Sequence, residues 1–383
     1  MKIIVNDFIN SARNLYGNQF IPLHRPLFKG NEKKYLDECI DTNFVSSVGK
    51  RVEEFEKKFA NLTGSKYAIA TVNGTNALYI AIKVAGIKYG DEIISQALTF
   101  VATCNAIAYS GANPIFIDVD KDTLGMSPTA LENFLKKNAD RHTRGSYNKQ
   151  TGKKIAACIP MHSYGFPCRI KEISDICSEW GITVIEDAAE SLGSYVGKKH
   201  TGTFSLMSSF SFNGNKIITT GGGGMIITDN FKLAKKAKHI VTTAKVSHPY
   251  EYIHDEIGYN YRMPNLNASL GCAQLEKLDE FLFEKKKIAM YWKNFFKKRN
   301  INCIHPLKGN KANNWLNTIV LKSKKDKEFF LKQTNKNGVM TRPTWRLMSE
   351  LKMFKRCQND GLKNSLWLQD RVVNIPSSVP DEL

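Results

Sequence analysis

The chain is expected to fold as an α/β protein, with a large domain around a mostly parallel sheet and a smaller α+β C-terminal domain. Three observations predict this. From about residue 66 to 230, short apolar runs alternate with stretches of helical spacing. Most connections between them are short. Beyond about residue 245 the texture changes to long helices followed by short strands. The division is placed at 1–245 and 246–383, with an N-terminal helix on the first part.

Each element follows from its local pattern. Ile4, Phe8, Ala12 and Leu15 share the spacing of an amphipathic helix. Lys66 to Thr71 reads as a strand and Thr75 to Ala85 as a helix. Glu92 to Ser95 is a strand, and Val101 to Tyr109 a helix. Pro114 to Val119, Ile155 to Pro160 and Thr183 to Glu186 are further strands, with a helix around Lys171 to Trp180 between the last two. Leu206 to Phe212 alternates polar and apolar residues, and Met225 to Thr228 closes the series. Asn138 to Lys154 is polar and basic, and reads as an exposed insertion or hairpin. Leu266 to Arg299 forms one or two helices, Thr318 to Leu321 a strand, and Lys327 to Asn335 a helix.

Composition narrows the function. The chain has 383 residues, 42% apolar and 24% charged, which is ordinary for a globular protein with a sizeable core. No apolar run is long enough to span a membrane, and Asp7 and Asn10 interrupt the first apolar patch too early for a secretory signal. The eight cysteines form no Cys-x-x-Cys pair and the eight histidines are scattered, so reduced core thiols in the cytoplasm and no metal site are expected. The net charge of +19 raises the question of nucleic acid. Its lysines, however, run from end to end on helical faces. No nucleic-acid partner is expected, only a surface field that favours anionic substrates.

The chemistry centres on Lys216, in Ser211-Phe212-Asn213-Gly214-Asn215-Lys216, ahead of the run Gly221 to Gly224. Some thirty residues earlier, Glu186 and Asp187 end an apolar run. In open α/β sheets ligands bind beyond the carboxyl ends of strands. A lysine after one strand and a carboxylate at the end of another suit pyridoxal phosphate, which needs an amine for its Schiff base and an anion for its ring nitrogen. A buried lysine would also be easier to deprotonate. Each piece has a plainer alternative. Asp187 can cap a helix, Asn73-Gly74-Thr75-Asn76 can be a capped turn rather than a phosphate cradle, and Phe100 can be core rather than a stacking face. Strand alternation puts Ser209 and Ser211 on one side, where a hydroxyl can reach a phosphate. The glycine run lacks the residues of a phosphate-binding loop or dinucleotide fingerprint, and close packing suffices to explain it.

Taken in order, Asn73-Gly74-Thr75, Gly90-Asp91-Glu92, Thr99-Phe100-Val101-Ala102-Thr103, Glu186-Asp187-Ala188-Ala189, Ser211-Phe212…Lys216 and Gly258-Tyr259-Asn260-Tyr261-Arg262-Met263 resemble the pyridoxal-phosphate sugar aminotransferases of the DegT/DnrJ/EryC/StrS family, fold type I. The likeness covers about Asn31 to Phe281. It implies that Lys216 forms the Schiff base and shuttles protons, and that Asp187 pairs with the pyridinium nitrogen. Glu190 stands where the family usually has Gln or His near the ring hydroxyl. Gly74, Thr75, Asn76 and Ser211 would hold the phosphate, and Phe100 would stack on the ring. Asn260 would reach the phosphate of a neighbouring subunit, which implies a homodimer with shared sites.

Within that family, Phe44-Val45-Ser46-Ser47-Val48-Gly49, the Lys216 segment and Thr243-Ala244-Lys245 are most similar to a branch that aminates nucleotide-linked 4-keto-6-deoxy sugars, on the way to legionaminic acid or bacillosamine-type sugars. The implied partners are a UDP- or GDP-linked keto sugar and L-glutamate. Ser46, Ser47 and Arg342 are the substrate candidates. Two rivals stand beside this reading. One is a pyridoxal-phosphate sugar dehydratase, whose members replace the lysine with histidine. The other is a basic, non-enzymatic nucleic-acid binder.

Overall fold

The computed structural model describes residues 1–380. In chain order the N-terminal part runs α1 (Lys2–Tyr16), α2 (Glu32–Asp41), α3 (Lys50–Thr63), β1 (Tyr67–Thr71), α4 (Gly74–Val84), β2 (Glu92–Gln96), α5 (Val101–Tyr109) and β3 (Asn113–Ile117). It continues through α6 (Pro128–Asn138), β4 (Ala139–His142), β5 (Gly145–Asn148), β6 (Lys154–Ile159), α7 (Ile170–Glu179), β7 (Thr183–Asp187), the short pair β8 (Tyr195–Val196) and β9 (Lys199–His200), β10 (Met207–Ser211), β11 (Gly224–Thr228) and α8 (Phe231–Val241). The expected strands and helices sit within a few residues of these bounds, and α2, α3 and α8 add to them.

The main sheet has the order β1-β11-β10-β7-β6-β2-β3. Strands β10, β7, β6, β2 and β3 are parallel, while β11 runs antiparallel to both β10 and β1. Helices cover both faces, so the strands are apolar on both sides. Ile93, Ile159, Ile185 and Ile226 pack under α4, α5 and α8. Their neighbours Ile94, Cys158 and Val184 pack against α6 and α7, while Ile227 joins Phe55 and Phe59 of α3. This alternation fixes where Asp187 points: it follows Ile185 by two residues, on the α4–α5 face. The fold is that of a type I pyridoxal-phosphate transferase.

The 138–154 stretch is a hairpin. Strand β5 pairs with the first residues of β6, Ser146 opposite Ile155 and Tyr147 opposite Lys154. It therefore lies at the opposite end of β6 from the strand ends that lead to Asp187.

The C-terminal part contains the small pair β12 (Lys245–Val246) and β13 (Ile253–His254), then α9 (Asn265–Glu276), α10 (Leu278–Lys297), β14 (Asn302–Cys303), β15 (Asn317–Val320), α11 (Lys324–Lys336), β16 (Arg342–Pro343), α12 (Lys363–Gln369) and β17 (Val372–Ile375). The stretch Leu266 to Arg299 is thus two helices. A four-stranded antiparallel sheet, β14-β15-β17-β16, backs the second of them, α10. Packing crosses the expected division at 245/246 twice. Helix α1 buries Val5, Phe8, Ile9 and Ala12 among Trp292, Phe296, Phe330 and Val373 of the C-terminal core. Helix α9 and Phe281 of α10 bury against α3 and Phe212 of the large unit. An amphipathic helix joins whichever apolar face is open to it, and sequence order does not decide which.

Candidate active site

Asp187 is the last residue of β7 and is 4% exposed. Thr103, one turn into α5, donates to its Oδ2 at 2.7 Å, and the Ala189 N–H donates to Oδ1 at 3.1 Å. Thr99 lies 2.8 Å from Thr103, so two hydroxyls line up behind the carboxylate. Burial raises the Asp187 carboxyl; Thr103, Ala189 and the nearby Lys216 charge oppose that shift.

The adjacent Glu186 points to the other face and is fully engaged. It accepts from His162 Nε2 (2.9 Å), the Gly202 and Phe204 N–H groups (2.8 Å each) and Ser205 Oγ (3.0 Å). His162 Nδ1 accepts from the Cys168 N–H at 3.2 Å, which fixes the Nε2–H tautomer. Burial alone would raise the Glu186 carboxyl, but these donors hold it below the usual range. Glu186 is a structural acid; Asp187 has capacity left over.

Lys216 follows β10 in a tight turn in which its N–H donates to the Asn213 carbonyl at 3.0 Å. Its Nζ donates to Glu190 Oε1 at 3.1 Å and lies 4.1 Å from the Trp315 ring centroid. The lysine is thus shielded but well partnered, with a carboxylate on one side and an aromatic face on the other. Glu190 is buried, and its Oε2 accepts from the Tyr164 N–H at 2.8 Å. Burial raises the Glu190 carboxyl, opposed first by the Lys216 charge. Tyr164 adopts a left-handed φ of 58°, which turns its N–H toward that carboxylate.

Gly74 opens α4 beside Ser211. A Cβ on Gly74 would come within 2.7 Å of Ser211 Cβ, and one on Gly224 within 2.4 Å of the Asn73 carbonyl. The end of the glycine run thus lets β11 and the start of α4 meet. Asn73 caps α4 by accepting the Asn76 N–H at 2.8 Å. That takes the Asn76 N–H out of the expected phosphate cradle, whereas helix geometry leaves those of Gly74 and Thr75 without intrahelical acceptors.

The structure thus brings together Lys216, Glu190 and, on the same strand ends, Asp187, with Ser211 and Gly74 alongside. It does not bring the remaining candidates to the lysine. Phe100 precedes α5, 47% exposed, with its ring 6.3 Å from Trp345. Asn260 is exposed and bridges to Thr242. Ser46 is exposed, and its carbonyl accepts from the Asn265 N–H at 2.7 Å; Ser47 adjoins it, half-buried. Arg342 is exposed on β16, opposite Asn374. Thr103, Tyr164, Asn313 and Trp315 belong to the site without having been expected there. Only Thr103 carried a signal, as the residue one helical turn after Thr99.

Three cysteine, histidine or carboxylate ligands cluster only at His239, Asp255 and Glu256 among the described residues, none of them a residue of the candidate site, and Lys236 pairs with Glu256 there. The eight cysteines are free thiols, and no helix is long and apolar enough to cross a membrane.

The donor set fits pyridoxal 5′-phosphate. An amine and a carboxylate lie within electrostatic reach of each other near the strand ends. The Ser209 hydroxyl, beside Asp187 in register, is buried without a partner among the described residues. The α4 start supplies free N–H groups for an anion. Comparison with known proteins agrees. Residues 26–380 match the DegT/DnrJ/EryC1/StrS aminotransferase family. The chain is 35% identical to a GDP-perosamine synthase of Escherichia coli O157:H7, over 94% of this chain and 93% of that one. It is 36% identical to the putative pyridoxal phosphate-dependent aminotransferase EpsN of Bacillus subtilis, covering 87% and 84%. Its fold superposes on Helicobacter pylori PseC, an aminotransferase of pseudoaminic acid biosynthesis, with a TM-score of 0.84 at 22% identity, covering 94% of each chain. The chain belongs to the DegT/DnrJ/EryC1/StrS aminotransferases, a family that works with pyridoxal 5′-phosphate.

Proposed function

We propose that this protein transfers an amino group from L-glutamate to the 4-keto carbon of a nucleotide-linked 6-deoxy sugar, as a homodimer. The observation that carries the reading is the Lys216 amine held 3.1 Å from Glu190, at strand ends that also present Asp187. Bound pyridoxal 5′-phosphate supplies the electron sink that makes amino exchange at carbon possible. Lys216 would tether it and, when released, carry a proton on Nζ to and from the reacting carbon. Asp187, oriented by Thr103, would keep a negative charge against the ring nitrogen. Gly74, Thr75 and Ser211 would hold the phosphate, and Phe100 would cover the ring. Glu190 would receive the Lys216 ammonium whenever the lysine is free.

Ser46, Ser47 and Arg342 lie on exposed loops and edges suited to a large anionic substrate, and Asn260 would serve a partner's site. The GDP-perosamine synthase likeness makes a GDP-linked keto sugar the first substrate to assay, with the UDP-linked 2-acetamido sugar second. The test is direct. Protein supplied with cofactor should absorb in the visible and bleach with L-glutamate, and each keto sugar is then offered in turn. Failure to take up cofactor ends the proposal. Release of ammonia with a deoxygenated product, instead of an amino sugar, would point to a dehydratase.

A further inference from the structure

The two partners of the Lys216 ammonium come from different parts of the molecule. Glu190 stands just beyond β7. Trp315 lies more than a hundred residues later, in the segment leading into β15 of the C-terminal sheet. One buried side chain ties them together. Asn313 Nδ2 donates to the carbonyls of Glu190 (2.8 Å) and Leu192 (2.9 Å), while its Oδ1 accepts the Trp315 N–H (2.8 Å). Its own N–H donates to Ser194 Oγ at 2.9 Å, so both amide hydrogens and the main chain are committed. The fit is close: a Cβ on Gly165 would fall 1.9 Å from Asn313 Oδ1. Trp315 is held at its other end as well, since its indole Nε1 donates to the Asn215 carbonyl at 2.6 Å, next to Lys216 in the chain.

We propose that Trp315 is a positioning residue for Lys216: with Glu190 it forms a two-sided cradle for the free ammonium. This rests on Lys216 being the reactive lysine. An aromatic face and a carboxylate both attract a cation, and they do so from fixed places because Asn313 locks the main chain of each. Each time Lys216 leaves the cofactor it has a defined seat, 4.1 Å from the ring centroid and 3.1 Å from Glu190, rather than a range of rotamers. Lysine loses substantial rotamer entropy when ordered, so a seat already built keeps the amine near the reacting carbon.

The test reads the amine itself in the full-length, cofactor-free chain. Trinitrobenzenesulfonate labelling at pH 7.5 is followed by peptide mass spectrometry on the Lys216 peptide. Trp315→Phe keeps a ring face and should label within about twofold of the wild type. Trp315→Met and Trp315→Leu keep bulk without a ring and should label about threefold to thirtyfold faster, because no ring face holds the amine in its seat beside Glu190. Wild-type labelling in a folded non-aromatic variant would falsify the cradle, as would Trp315→Phe labelling as fast as Trp315→Leu, which reports only access. Asn313→Ala should raise labelling too, and an unchanged rate would remove Asn313 from the lock. Borohydride reduction of the cofactor-loaded wild type is run alongside. A label away from Lys216 defeats the proposed function while leaving the cradle to be judged on the cofactor-free data.

Discussion

Two regions of this molecule share the candidate site and differ in how finished they are. At the strand ends, Asp187, Glu190, Thr103 and Lys216 are shielded and held in two hydrogen-bonded pairs, Thr103 on Asp187 at 2.7 Å and Lys216 on Glu190 at 3.1 Å. On the rim, Phe100, Ser46, Asn260 and Arg342 are exposed; the Phe100 carbonyl accepts the Thr103 N–H at 3.2 Å, but no side chain of the four hydrogen-bonds to that cluster among the described residues. The difference separates two physical demands. Chemistry on a cofactor needs charges fixed before it arrives, because reorganisation is what raises barriers. Grip on a large anionic substrate needs reach and an opening, which groups on loops and sheet edges supply.

The contrast can be broken where the effect is largest. Lys216→Ala should lower turnover by at least about 10³-fold and abolish borohydride-trapped cofactor, with circular dichroism unchanged. A variant that keeps trapped cofactor would move the chemistry elsewhere. Asp187→Asn should lower kcat by about 10²-fold to 10³-fold through loss of one preorganised charge.

That substitution should also have an opposite effect on stability. Burial raises the Asp187 carboxyl, so the folded chain holds a proton at pH values where the unfolded chain has released it. Stability is then lost as pH rises from about 4 through the raised folded value. Cofactor-free Asp187→Asn should therefore melt higher than the wild type at pH 7.5, and the gain should vanish near about pH 4. Equal melting at both values would show that Thr103 and Ala189 fully offset the burial.

The neighbouring acid sharpens the same comparison. Glu186 is the acceptor for His162 Nε2 and the Gly202 and Phe204 N–H groups, and Glu186→Ala, which orphans all three, should destabilise the fold by about 3–5 kcal/mol in urea titration. A stable Glu186→Ala with low kcat would instead make it part of the chemistry. The smallest effect belongs to the rim. Arg342→Ala and Ser46→Ala should each raise KM for the keto sugar by up to about tenfold with kcat within about twofold. A pure kcat loss would place those residues nearer the reacting atoms than the rim.

Legibility in the sequence follows the same divide. Asp187 and Lys216 could be found because each sits where a run of strand residues ends, and strand ends are where open sheets place ligands. The hairpin at 138–154 announced itself by its polarity. Thr103 was half visible, one helical turn from Thr99. Asn313 and Trp315 were not visible at all. Their roles depend on main-chain partners a hundred or more residues away, at Glu190, Leu192 and Asn215, and no local periodicity records such a meeting. The packing of α1 was hidden for the same reason: its apolar stripe was plain, but the core that receives it comes from the other end of the chain.

The β4–β5 hairpin offers a practical handle. Its base is anchored by Asn148, which donates to Glu92 (2.7 Å) and Gln358 (2.6 Å), while Thr143 and Arg144 at its tip are exposed. Exposed tips tolerate inserted residues. Because the hairpin pairs with the first residues of β6, at the other end of that strand from the ends that lead to Asp187, an affinity tag or a solid-support linker grafted there would immobilise the protein by a part that takes no share in the site.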